Sequence, residues 1–328
     1  MNGIKEIKSL SVTNEVSRDI VSSKMINSFI AFIDVSPLTV KAYRAGISQL
    51  FEYLSDEGIR QPKRENIIDF KNYLIHCGRK PSTVALYLSA VRRFFTWCES
   101  EGLYPDITRG VKSPRQERSH KRDAFSANEL KTIISGLDRK TLEDKRNFAM
   151  FTLITACGLR TCEIVHANVG DIHRIAGVLV LDIQGKGHAS KDSFVKITPM
   201  VEKAITEYLS ARGNVQPSEP LFASCSRRNL GGRLTTRTVS GVCKSAMKAA
   251  GFDSPRLTAH SLRHSAVTLA LMGGMTLQDT QAFARHANIA TTLVYSHDVS
   301  RLKSLCEATI SRAIFGTVAP PVGNGNAY

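Results

Sequence analysis

The chain has 328 residues with 42% hydrophobic content, enough for two domains with real cores. Lys plus Arg number 44 against 29 Asp plus Glu, and the net charge of +15 points to a polyanion, because neutralising phosphates releases counterions. Seven dispersed cysteines without a C-x-x-C pair argue against a zinc site or a disulfide framework, and no run approaches the roughly 20 apolar residues of a membrane span.

Residues 1–22 are polar and weakly patterned and read as an N-terminal tail without the apolar run of a signal peptide. The expected location is therefore the cytoplasm, beside the nucleoid, with no membrane partner. Residues 23–104 read as a four-helix module. Ser36-Pro37 is a cap followed by a first-turn proline, and Val40, Tyr43, Ile47, Leu50, Phe51 and Leu54 recur at helical spacing. Ile67 to Leu74 marks a further helix, and Pro81-Ser82-Thr83 opens another with Val84, Leu88, Val91, Phe94, Phe95 and Cys98 on one face. Arg79, Lys80, Arg92 and Arg93 flank or stud that helix. They are a solvated face or a face laid against DNA.

Residues 105–123 lose apolar periodicity and carry six basic side chains, Arg115 and Arg118 among them, so they read as a basic linker with the option of following a phosphate backbone. The second domain, 124–316, opens with Ser126-Ala127-Asn128-Glu129, the form of a capping box. It predicts a long helix over 143–157, two strands at 178–183 and 193–197, and helices over 199–212, 235–250, 261–273, 276–285 and 300–314. The domain is mainly helical with a small sheet, α+β in class. Residues 317–328 read as a flexible tail.

The chemistry-bearing residues come in a fixed order: Arg160, Lys186, His260, Arg263, His286 and Tyr295. Each alone is ordinary: a helix-start arginine, a turn lysine, a half-buried helix tyrosine. Together they suit attack on a DNA phosphate. A guanidinium donates two hydrogen bonds to two phosphate oxygens and stays charged. Histidines donate to phosphate or move protons, a lysine protonates a leaving oxygen, and positive surroundings make a phenol a competent nucleophile. There is no P-loop and no carboxylate cluster for a two-metal site, so neither a cofactor nor a metal is expected.

These strings resemble the tyrosine recombinases, the phage integrase family. Thr155-Ala156-Cys157-Gly158-Leu159-Arg160-Thr161-Cys162-Glu163-Ile164 is similar to the first arginine motif, Thr258 to Ser265 to the His-x-x-Arg motif, and His286 to His297 to the closing His-to-Tyr motif. The resemblance implies that Tyr295 is the nucleophile, and that Arg160 and Arg263 bind the phosphate. By the same match, His260 assists proton transfer, His286 hydrogen-bonds the phosphate, and Lys186 is the general acid, with Lys191 as a competitor. Glu163 would support the site from behind. Arg285 stands where the family often has glycine.

The resemblance further implies a core-binding (SAM-like) helical domain and a catalytic domain closing as a C-shaped clamp on double-stranded DNA at specific core sites. It implies tetramers that exchange strands through a Holliday junction, docked through a C-terminal helix bearing Leu302, Leu305, Ile310, Ile314 and Phe315. Accessory DNA-bending or directionality proteins are further implied partners. Integration and excision of a mobile element is the leading expectation. Xer-type resolution of multimers is the alternative, a type IB topoisomerase shares the chemistry, and a non-catalytic DNA-binding protein is the reading of another class.

Overall fold

The computed structural model describes residues 18–115, 124–185, 190–303 and 306–316, with side chains from Met25 onward except those of 297–305. The chain divides into two compact units, Met1–Ser119 and His120–Tyr328.

The first unit holds α1 (Arg18–Phe32), α2 (Pro37–Asp56), α3 (Arg64–His76) and α4 (Pro81–Ser100). Ser36 caps α2 by accepting from the Thr39 backbone N–H at 3.4 Å, with Pro37 in the first turn. α2 and α4 pack closely because residue 46 is glycine: a Cβ there would meet the Tyr87 backbone at 3.0 Å. Phe94 meets Phe29 and Phe51 edge-on, at 5.5 and 5.7 Å between ring centres. Such pairs add about 1 kcal/mol each beyond their burial.

The start of the segment read as a linker lies on these helices. Val111 is buried in their core. Arg64 donates to the Arg109 carbonyl at 3.1 Å, and Arg92 to the Val111 carbonyl at 2.8 Å and to Ser113 Oγ at 3.0 Å. Ile107 and Val111 are too sparse to create a periodic signal, yet the arginines satisfy the carbonyls around them.

The second unit runs α5 (Ala127–Ser135), α6 (Leu142–Cys157), α7 (Thr161–His166), β1 (Ile172–Ile175), β2 (Val178–Ile183), β3 (Ser193–Lys196), α8 (Pro199–Arg212), α9 (Thr236–Ala249), α10 (Ala259–Met272), α11 (Leu277–Ala284), α12 (Ile289–Lys303) and α13 (Cys306–Phe315). The capping box of α5 forms in both directions, Glu129 N–H to Ser126 Oγ at 3.2 Å and Ser126 N–H to Glu129 Oε2 at 2.7 Å. α6 is the central helix, with Ala149, Met150, Phe151, Leu153 and Ile154 all fully buried. The antiparallel sheet has the order β1-β2-β3, and Leu181, Ile183 and Val195 face the core.

The molecule is mainly helical with a small sheet, as expected. Two details differ. β1 is an additional strand, joined to β2 by Ala176 and Gly177, both at positive φ. The helix expected over 300–314 is the end of α12 followed by α13. Ile310, Ile314 and Phe315 are exposed on α13; the side chains of Leu302 and Leu305 lie outside the described residues. Among the described residues, no helix is long and apolar enough to cross a membrane.

Candidate active site

Arg160 is placed by a sharp turn between two helices. Gly158 ends α6 at φ +60°, and a Cβ there would sit 3.0 Å from the Phe283 ring, so both backbone and space require glycine. Arg160 then caps α7. Its backbone N–H donates to Glu163 Oε2 at 2.7 Å and its Nη1 to Oε1 at 2.8 Å. Glu163 is 0% exposed.

α10 delivers Arg263, only 1% exposed, whose fork donates to the carbonyls of Gly158 and Ala284. A third guanidinium joins them. Arg285 follows α11 in the left-handed conformation, φ +52°. It donates to Glu163 Oε2 at 2.9 Å, to the Gly158 carbonyl at 3.0 Å and to the Phe283 carbonyl at 2.7 Å. Its own carbonyl accepts from Arg160 Nη2 at 3.2 Å. Three cations thus surround one buried carboxylate. Burial pushes the Glu163 carboxyl up, but Arg285 and Arg160 outweigh it and hold the group below the usual carboxylate range. Burial, then Arg160 and Arg285, pulls Arg263 down, although it remains charged at neutral pH.

His286 comes directly after this turn. Gln281 Nε2 holds its carbonyl at 3.0 Å, and its Nδ1 lies 2.9 Å from the Oγ1 of fully buried Thr292. Burial, followed by Arg263, Arg160, Arg285 and His260, pushes the imidazole down to about 4, so it is neutral at pH 7. A Thr292 hydroxyl that donates to Nδ1 leaves Nε2 as the protonated nitrogen, a neutral donor.

Tyr295 stands one turn beyond Thr292 on α12 and is 6% exposed. Its ring lies 6.1 Å from that of His286, nearly parallel. Its hydroxyl is 3.3 Å from His264 Nε2, with the rings 4.7 Å apart. His260, exposed at the start of α10, meets the His264 ring edge-on at 5.1 Å.

The structure therefore gathers Arg160, Arg263 and Arg285 about Glu163, sets His286 beside these arginines and Tyr295 beside His286, and leaves His260 exposed next to His264. Lys186 lies outside the described residues. Lys191, its sequence competitor, is ion-paired with Asp171 near the sheet. Arg79, Lys80, Arg93 and Arg115 are exposed, Arg92 is turned onto the Val111 carbonyl, and Arg118 lies outside the described residues. Sequence reasoning assigned no role to His264 or Thr292, and took Arg285 only as a departure from glycine that shifts the local turn or adds a DNA contact. The first two stand at i+4 from His260 and i−3 from Tyr295, spacings that place them beside those residues on a helix. No group of three or more metal-ligating side chains occurs among the described residues. Chemically, the site offers a strongly cationic cluster, a neutral imidazole donor and a buried phenol beside a second imidazole.

Residues 124–301 match the Phage integrase family, and residues 26–102 match its N-terminal SAM-like domain. The chain is 27% identical to tyrosine recombinase XerD of Listeria innocua over 85% of this chain and 95% of that protein. It is 30% identical to tyrosine recombinase XerD of Caulobacter vibrioides, covering 79% of this chain and 85% of that one. Its fold is similar to XerH site-specific recombinase bound to a palindromic difH substrate, with a TM-score of 0.71 and 19% identity over 88% of this chain and 84% of that one. It is also similar to a lambda integrase (75–356) dimer bound to a core site, with a TM-score of 0.64 and 16% identity over 82% and 96% of the two chains. The chain belongs to the phage integrase family and is a site-specific tyrosine recombinase, which breaks and rejoins DNA through a tyrosine nucleophile.

Proposed function

We propose that Tyr295 is that nucleophile. The observation that supports it most is the placement of its ring beside neutral His286, in the cluster that Arg160 and Arg263 share. The phenolic oxygen attacks phosphorus and the bond to the 5′-oxygen breaks, leaving a 3′-phosphotyrosine. His260 assists transfer of the phenol proton, and Lys186 protonates the departing 5′-oxygen. Arg160 and Arg263 stabilise the charge that builds on the non-bridging oxygens, and His286 adds a hydrogen bond. The linkage keeps the phosphoester, so a 5′-hydroxyl of a second strand reverses the step onto a new partner.

The proposed substrate is double-stranded DNA at specific core sites, with Arg79, Lys80, Arg93, Arg115 and Arg118 along the phosphates. Arg92 has the weakest claim to such a contact, since its fork is engaged by Val111 and Ser113. Four protomers assemble through the apolar face of α13, whose Ile310, Ile314 and Phe315 are exposed. The proposed cellular use is integration and excision of a mobile element beside the nucleoid, assisted by accessory DNA-bending proteins. The names of the curated XerD relatives favour a second use, resolution of DNA multimers. Attachment-site repeats flanking the coding region would support the first use; restored multimer resolution in a strain lacking its own resolving recombinase would support the second.

Tyr295→Phe tests the mechanism. On nicked duplexes it should bind as wild type does, form four-protomer complexes on paired sites, and yield no covalent adduct. Adduct formation by the variant refutes the assignment of Tyr295.

A further inference from the structure

The left-handed turn at Arg285 joins both arginines that we assign to the phosphate. The Ala284 carbonyl accepts from Arg263, and the next carbonyl, that of Arg285, accepts from Arg160. His286 follows at once. An error in this turn therefore misdirects three groups together. Yet the residue that makes it is not glycine, and φ +52° strains an L-residue. The Arg285 Nε is also buried without an acceptor among the described residues. Surroundings that keep such a conformation must over-determine it. The side chain supplies the restraint: its fork reaches the α6–α7 junction, where it takes Glu163 Oε2 and the Gly158 carbonyl, and it closes back on Phe283.

We infer that Arg285 is a positioning residue, whose clamp on Glu163 and Gly158 fixes the turn that aims Arg160, Arg263 and His286. The inference rests on the assignment of those three groups to the phosphate. Arg285 also shares the carboxylate, so Glu163 is not left to engage both fork nitrogens of Arg160, and Arg160 Nη2 stays on the turn.

The test compares Arg285→Gly and Arg285→Lys with wild type. Glycine adopts the same φ without strain, so it removes the clamp and leaves the turn accessible. Lysine returns the charge but not the fork. The probe is a nicked duplex recovered from a randomised pool by binding to Tyr295→Phe. Arg285→Gly should keep its melting temperature and bind the duplex within about threefold of wild type, while single-turnover adduct formation slows about tenfold or more, the size of a lost hydrogen bond to a charged group. Arg285→Lys should recover part of that rate.

A rate for Arg285→Gly within about threefold of wild type overturns the inference. So does a slower rate that tracks a lowered melting temperature and returns on cooling, since that is lost folding and not lost aim. Wild type that forms no adduct at all refutes the phosphotyrosine reading itself, a different failure.

Discussion

Replacing Glu163 by glutamine isolates the charge at the centre of the site. Glutamine keeps the volume and one acceptor oxygen, so the backbone cap of α7 at Arg160 can persist. Its amide nitrogen, however, must face either Arg160 Nη1 or Arg285 Nη2, which lie 2.8 and 2.9 Å from the present oxygens, donor against donor. Three cations then share a pocket with no counterion. Removing one member of a buried ion pair costs about 3–5 kcal/mol, and the partial exposure of the Arg160 side chain argues for the low end, about 3 kcal/mol. For a unit of this size each kcal/mol lowers the melting temperature by about 2–4 °C, so Glu163→Gln should melt roughly 6–12 °C below wild type. Thermal unfolding followed by circular dichroism reads the shift. Inorganic phosphate should raise the melting temperature more in the variant than in wild type, because an anion replaces the missing charge. A variant within about 2 °C of wild type, with no greater response to phosphate, refutes the reasoning that Glu163 neutralises the arginine cluster.

Two further outcomes follow from the histidines. The His286 pKa is depressed to about 4 in the fold, so the unfolded chain binds the extra proton first as pH falls. Stability from this group is fully present above about pH 6.5 and is lost between there and about pH 4, by about 2 kcal/mol after allowing for its partial exposure. His286→Gln should flatten that part of the melting temperature against pH, and an unchanged slope counts against the depressed pKa. His264 holds the Tyr295 hydroxyl in this structure. His264→Phe should release it and raise adduct formation by up to about fivefold, the value of a neutral hydrogen bond near 1 kcal/mol. A tenfold fall would instead make His264 the acceptor of the phenol proton.

Much of the architecture is legible in local sequence. α2 is announced by Ser36-Pro37 and a regular apolar face, α5 by its capping box, and α6 by an apolar run ending in glycine. β1 is not, because Ile172-His173-Arg174-Ile175 is short, largely exposed, and turned by an alanine at φ +47° where composition suggests no hairpin. The site is legible as an ordered set of residue types, since the spacing of His260 and Arg263, or of Thr292 and Tyr295, is a helical one. What local pattern cannot carry is the cross-linking of distant segments. Arg285 stands out in the sequence only as an unexpected residue, whereas its partners Gly158 and Glu163 lie far upstream and meet it only in the folded domain. The same holds for Arg92, where a charge on a helix face says nothing of the Val111 carbonyl that holds it.

The imbalance of three guanidiniums against one carboxylate carries a consequence for how this domain changes over evolutionary time. Without DNA such a cluster is a standing repulsion, and the simplest substitutions to relieve it, those that add an acid, would make the unbound protein sturdier. The same substitutions would blunt the pull on a phosphodiester. On the proposed assignment of these arginines, DNA supplies the counter-charge as well as being the substrate, and selection for robustness alone would erode the site that selection for recombination maintains.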